Sequence, residues 1–260
     1  MTRLLLGACL GAVLLFLYAP IIVLVLMSFN TSEYGTLPFA PTLHWYTVLF
    51  GEGAVWLAAL RSITLAAAAA TGATLLGTLA AVGLTRHRFR GRAFLTAFVP
   101  FPVIVPWMIL GIALLLLFAI LGLERSALSL LAGHLVTTIP YVIIVVSARL
   151  EGLDSSIEEA ARSLGAGRWR TLALVTAPLA LPAIVAGALM AFMVSFDNFI
   201  ISYFLAPPEL TTLPMRIYQS IRLGYTPDMN AIATLILAAS LVVVVAGERL
   251  LLRGALLQRR

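Results

Sequence analysis

Six stretches of this chain are long and apolar enough to cross a membrane: residues 4–27, 62–84, 94–121, 127–147, 174–205 and 231–252. A crossing helix needs about 20 mostly apolar residues at ~1.5 Å of rise each. Inside lipid only helices and closed barrels satisfy every backbone group, so runs of this length specify an all-α membrane protein with six transmembrane helices. Charge is correspondingly sparse. The chain is 62% apolar and 11% charged, where a soluble domain runs near 45–50% and about 25%. The first run follows Met-Thr-Arg and has the outline of a signal peptide, but a signal's apolar core ends after about 7–15 residues. This run continues through Pro20 to Met27 and is expected to remain as a span.

The placement of charge sets an orientation. All 17 basic residues are arginine, against 11 acids. A chain without lysine carries neither a P-loop, which sets a lysine on phosphates, nor a Schiff-base lysine. Arg3, Arg86, Arg88, Arg90, Arg92, Arg149, Arg162, Arg168, Arg170, Arg249, Arg253, Arg259 and Arg260 fall on one side of a six-span arrangement. Arg61, Arg125, Arg216 and Arg222 fall on the other. The positive-inside rule then puts both termini in the cytoplasm and accounts for the basic surplus without nucleic acid. Cys9, the one cysteine, excludes an internal disulfide. His44, His87 and His134 are far apart and are expected to make local hydrogen bonds rather than a metal site.

Between the spans the chain is uneven. Residues 28–61 form a long outer segment with Glu33 and Glu52, and Pro38, Pro41, Trp45, Tyr46 and Trp56 predict a folded loop at the membrane interface. A later outer segment predicts a short helix over 215–222, stopped by Gly224. Pro100, Pro102 and Pro106 fall in the third span, Pro140 in the fourth, and Pro178 and Pro182 in the fifth. Such residues either kink a helix or break it along a transport path. No linker or strong repeat divides residues 1–260, which read as a single transmembrane domain.

The most informative stretch is residues 150–172, between spans four and five. Ser155 and Glu158 have the spacing of a capping box. Ile157, Ala160, Ala161 and Leu164 then recur along one helical face before Gly165 and Gly167 end it. Two turns of amphipathic helix are too short to stand unsupported, so this one should dock, either on its own bundle or in a partner's groove.

Glu159-Ala160-Ala161, then Gly165, Val175, Ala177 and Pro178, resemble the EAA motif of membrane subunits of bacterial ATP-binding-cassette (ABC) importers. Val175 stands for Ile and Ala177 for Leu, both mild departures. Ser195-Phe196-Asp197-Asn198, the run 213–218, and Pro227 with Asn230 and Ala231 are similar to segments of spermidine/putrescine importer permeases. Tyr18-Ala19-Pro20, Ser28-Phe29-Asn30 and Trp45-Tyr46 resemble the second permease of that pair. The resemblance implies a type I (MetI-like) importer domain in a bacterial inner membrane. It implies a heterodimer with a related permease, two ATP-binding subunits and an extracytoplasmic binding protein. Such a subunit is not an enzyme and carries no cofactor, since the partner ATPase binds ATP and Mg. Glu158, Glu159, Ala160, Ala161, Leu164 and Gly165 would form the coupling segment.

For the cargo the resemblance implies a small organic cation, polyamine-like, moved inward. Asp197 is the one acid deep in a span, which makes it a pathway candidate. A structural bond to a neighbour is the other reading. Ser195, Asn198 and Ser202 share a polar stripe about 100° or more away from it. One face would line the path and the other meet a partner. Trp107 and Trp45 could stack on a cation. In polyamine permeases an acid often follows the proline at position 106, and a second aspartate often stands at Asn198. Their absence leaves a less charged amine open, with aminophosphonate and ferric iron as further ABC cargoes. A secondary transporter would need no docking element, and a membrane-embedded enzyme would need a convergent nucleophile or metal set.

Overall fold

The computed structural model describes residues 2–32, 38–223 and 228–257. Their helices, in chain order, are α1 Thr2–Met27, α2 His44–Gly51, α3 Gly53–Arg86, α4 Arg92–Phe98, α5 Phe101–Ile104, α6 Trp107–Ile120 and α7 Ala127–Glu151. Then come α8 Ser156–Ser163, α9 Arg168–Thr171, a π-helical turn Leu172–Thr176, α10 Ala177–Phe196, α11 Phe199–Leu205, α12 Leu213–Leu223 and α13 Asp228–Leu257. The chain divides into two compact units, Met1–Leu57 with Arg216–Glu248, and Ala58–Met215 with Arg249–Arg260.

In the first unit α1 is apolar on every side and lies largely exposed from Leu5 to Leu26, as a helix meant for lipid or a partner must. The segment after it is folded, as its aromatics predict. Asn30 is fully buried, and its side-chain oxygen accepts from the Ala40 amide at 3.1 Å. Trp45 Nε1 donates to the Asn30 carbonyl at 2.7 Å, and the Ser28 and Tyr46 hydroxyls bond at 2.7 Å. Glu52 forms an ion pair with Arg216. Glu33, Gly224 and Pro227 lie outside the described residues, as do Arg259 and Arg260.

The second unit is built on small residues. Ala66, Ala69, Ala73 and Ala81 of α3 are fully buried. A Cβ on Gly77 would sit 2.7 Å from Val142 Cβ, and one on Gly72 would sit 2.8 Å from Leu135 Cδ2. Hydrophobic burial does not drive helices together in lipid, so close backbone approach must supply the packing. Val142, Val146 and Leu150 of α7 meet Ala180 and Ala191 of α10 in the same core.

Among the described residues, four helices are long and apolar enough to cross a membrane: Leu5–Met27, Gly53–Arg86, Ala127–Glu151 and Arg168–Phe196. The third expected span is not continuous. It divides into Arg92–Ile104 and Trp107–Ile120, bent by 108°. Pro106 explains the break, because the residue before a proline is pushed out of helical geometry. Val105 is extended, with φ −68° and ψ 131°. If the bent pair is one span the count is five. The sixth expected span falls in α13, whose shorter apolar stretch is Asp228–Val242. Most side chains beyond it, Arg253 included, lie outside the described residues. The fifth span is also interrupted. Its first turn is the π-helical Leu172–Thr176, just before Pro178, and it breaks again between Phe196 and Phe199. Pro140, by contrast, stays within an unbroken α7.

Candidate functional site

The segment 150–172 is anchored by one carboxylate. Glu158 is buried at 5% exposure on α8. Arg86 Nε, at the end of α3, donates to its Oε1 at 3.0 Å, and Arg162 Nη2 lies 3.6 Å from its Oε2. Arg86 Nη2 also donates to the Leu153 carbonyl at 3.3 Å. This use of Glu158 displaces the expected capping box. Ser155 makes no cap bond and already has helical φ and ψ, −66° and −18°. Asp154 takes the role instead, its Oδ1 accepting from the Ser156 amide at 2.9 Å. Those bonds from Ser156 hold the exposed Asp154 carboxyl below its ordinary pKa.

The far end of α8 closes with a two-bond C-terminal cap. The Ala166 amide donates to the Ala161 carbonyl at 3.1 Å and the Gly165 amide to Arg162 at 2.9 Å. That motif needs a left-handed residue, and Gly165 supplies it at φ +90°. The apolar stripe is not buried against the rest of the chain. Ile157 is 45% and Leu164 90% exposed, Glu159 and Ala160 are exposed, and Ala161 is half-buried. The helix is thus held from behind by an ion pair and presents its apolar side outward.

The second feature is the break in the fifth span. α10 ends at Phe196, Asp197 and Asn198 turn, and α11 starts at Phe199. Asn198 is 1% exposed, and its Oδ1 accepts from the Ile201 amide at 3.0 Å, capping α11. Ser195 and Ser202, at 3% and 1% exposure, flank His134 of α7, which is fully buried. The Ser202 hydroxyl donates to the Asn198 carbonyl at 2.9 Å. Its oxygen must therefore accept from His134 Nε2, 3.1 Å away, which leaves Nδ1 to accept from the Ser195 hydroxyl at 2.8 Å. One neutral imidazole ties both sides of the break to α7. Asp197 turns the other way and is exposed, and among the described residues its carboxylate meets no partner.

The structure thus separates the polar residues of the fifth span. Ser195 and Asn198 are buried in the His134 network, while Asp197 faces out. Trp107 is half-buried at the first turn of α6, beside the bend after Pro106. Trp45 is half-buried and engaged with Asn30 in the other unit. Arg86 and His134 carry more of the site than their local sequence suggests. Arg86 is 72 residues from Glu158, and His134 is 61 and 68 residues from its two serines. No short-range spacing could have joined them. The one available signal was an ionisable side chain inside an apolar run.

Comparison with known proteins adds four findings. Residues 73–254 match the family described as "Binding-protein-dependent transport system inner membrane component". The spermidine/putrescine transport system permease protein PotC of Escherichia coli (strain K12) is 39% identical over 246 residues, covering 95% of this chain and 93% of PotC. The putrescine transport system permease protein PotI of the same strain is 42% identical over 231 residues, covering 86% and 82%. Among solved structures, a bacterial ABC transporter involved in the import of the acidic polysaccharide alginate superposes with a TM-score of 0.78. The match covers 95% of each chain at 20% identity, a likeness of fold.

Proposed function

This chain belongs to the inner membrane components of binding-protein-dependent transport systems and is a permease subunit of an ABC importer; from that premise we propose that its cargo is a small organic cation of the polyamine class. The observation that carries the cargo is the identity of 39% and 42% to PotC and PotI over most of the chain. Asp197, exposed at the break of the fifth span and without a partner among the described residues, supports it, since a carboxylate at membrane depth is costly unless it faces a cavity or a partner.

In this reading residues 1–260 act as one permease domain, the second of two related permeases, with both termini and the segment 150–172 in the cytoplasm. Two ATP-binding subunits hold the nucleotide and Mg. An extracytoplasmic binding protein delivers the cargo. Ile157 and Leu164, with Glu159 and Ala160 beside them, dock in a groove of one ATPase, and Gly165 turns the chain away from it. Closure of the ATPases pulls on α8, and Glu158 transmits the pull to α3 through Arg86. The pathway alternates between its two openings as a result. Asp197 attracts the cation, Trp107 offers it a ring face, and Ser195 and Asn198 fix the break that presents Asp197.

Reconstitution in liposomes with the second permease, the ATPase and the binding protein tests this. ATP-driven uptake of putrescine or spermidine is expected. Uptake of 2-aminoethylphosphonate or a ferric complex, with neither polyamine moved, would overturn the cargo.

A further inference from the structure

The short helix α11, which follows the break at Asp197, has three sides, and its neighbours in the second unit account for two of them. Ile201, Ser202 and Leu205 face α7, where Ser202 bonds His134 and a Cβ on Gly133 would run into Leu205 Cδ1 and Ile201 Cγ2. Ile200 and Phe204 face α6, where a Cβ on Gly111 would sit 2.7 Å from Phe204 Cδ2 and 3.4 Å from Ile200 Cγ2. Phe199 and Tyr203, four residues apart, share the side that is left. Tyr203 is 48% exposed on it. Asp197, itself exposed, stands where α11 begins, and its carbonyl accepts from the Phe199 amide at 2.9 Å.

The Tyr203 ring is fixed by its neighbours. Its centroid lies 5.4 Å from that of Phe199 and 5.5 Å from that of Phe204, the second ring set edge-on at 84°. Phe204 is the residue wedged against Gly111, so the tyrosine is braced on α6 through it. An interfacial anchor would account for a tyrosine near the outer end of a span. It would not account for an acid at membrane depth followed by two rings along one helix side, an order that suits a cation with more than one ammonium.

The spacing selects among such cations. Six residues separate Asp197 from Tyr203, roughly 10 Å along the helix axis. An extended chain gains ~1.2 Å per bond, so spermidine holds its terminal nitrogens roughly 11 Å apart and putrescine about 6 Å apart. We infer that Tyr203 is a specificity-determining residue for the cargo: with one terminal ammonium at Asp197, a long polyamine lies across Phe199 and sets its far ammonium on the Tyr203 ring, which a short diamine does not reach. This inference rests on the polyamine reading of the cargo.

The test is the ratio of two uptake rates by the importer reconstituted in liposomes, with its binding protein saturated by spermidine or by putrescine. Tyr203→Leu should lower the spermidine-to-putrescine ratio about fivefold, and Tyr203→Phe, which keeps the ring face, should hold it within about twofold of the wild type. Recovery of the second permease and the ATPase, and the melting temperature, should stay unchanged in both variants. An unchanged ratio in Tyr203→Leu, an equal loss of both cargoes, or loss of the second permease from the purified complex overturns the role of Tyr203, while polyamine uptake by the wild type leaves the cargo standing. A wild-type complex that moves neither polyamine overturns both together.

Discussion

Asp197 and His134 divide the work of one helix break. The imidazole bonds Ser195 before the break and Ser202 after it, while the carboxylate points away from both. Their substitutions should therefore fail differently. Asp197→Asn removes the charge but hardly changes the volume, and no bond to a described residue is lost. Polyamine uptake by the assembled importer should fall at least tenfold while melting temperature and binding-protein affinity stay unchanged. Loss of melting temperature in step with uptake would return Asp197 to a structural role. His134→Leu instead removes two buried hydrogen bonds and leaves the Ser195 hydroxyl without its acceptor. Hydrogen bonds between membrane helices average about 0.6 kcal/mol, so the variant should be destabilised by ~1–2 kcal/mol in a thermal or denaturant titration. His134→Gln can still donate and accept and should recover part of that loss. Equal stability of the leucine and glutamine variants would dismiss the bonding scheme.

At the scale of the element, α8 shows how a short helix is kept ready for a partner. It buries Glu158 on one side, exposes Ile157 and Leu164 on the other, and ends on a left-handed glycine. A Cβ at Gly165 would touch nothing within 4 Å, so the penalty of a side chain there is conformational, about 1–2 kcal/mol. Leu164→Glu leaves the fold of the chain intact but charges the docking side. Co-purification of the ATPase with the permease should fall sharply for Leu164→Glu and partly for Gly165→Ala, with insertion unchanged. Full recovery of the ATPase with both variants would disconnect this helix from coupling. The helix was legible in sequence because its period, its glycine stop and its position between spans are all local signals. The capping box is not legible as absent, because Glu158 answers to Arg86, 72 residues away. Hydropathy averages over prolines and turns, so for the third and fifth spans it leaves kinking and breaking equally open. The prolines were visible, but whether each one kinks or breaks is decided by packing, as the contrast between Pro106 and Pro140 shows.

At the scale of the whole molecule, that same ion pair fixes the course of the bent third span. Arg92–Ile104 and Trp107–Ile120 hold 13 and 14 residues, about 20 Å of helix each, and neither reaches across ~30 Å of hydrocarbon by itself. A pair bent by 108° could dip in and return, or cross. Arg86 and Glu158 touch at 3.0 Å, so the end of α3 and the start of α8 share one side of the membrane, whichever side that is. α7 is a membrane-length helix of 25 residues, and if it crosses, its first residue, Ala127, lies on the opposite side from its last, Glu151. The chain then leaves α3 on one side and enters α7 from the other, so the bent pair between them is expected to cross. In the orientation proposed above, the Arg86 side is the cytoplasmic one, as the arginine distribution implies. With Cys9 replaced by serine, Arg125→Cys should react with an impermeant thiol reagent in spheroplasts, as should Glu52→Cys. Arg90→Cys and Ser156→Cys should react after permeabilisation. Reaction of Arg125→Cys and Arg90→Cys from the same face would make the pair a re-entrant loop. The Arg86–Glu158 contact and a crossing α7 could not then both hold.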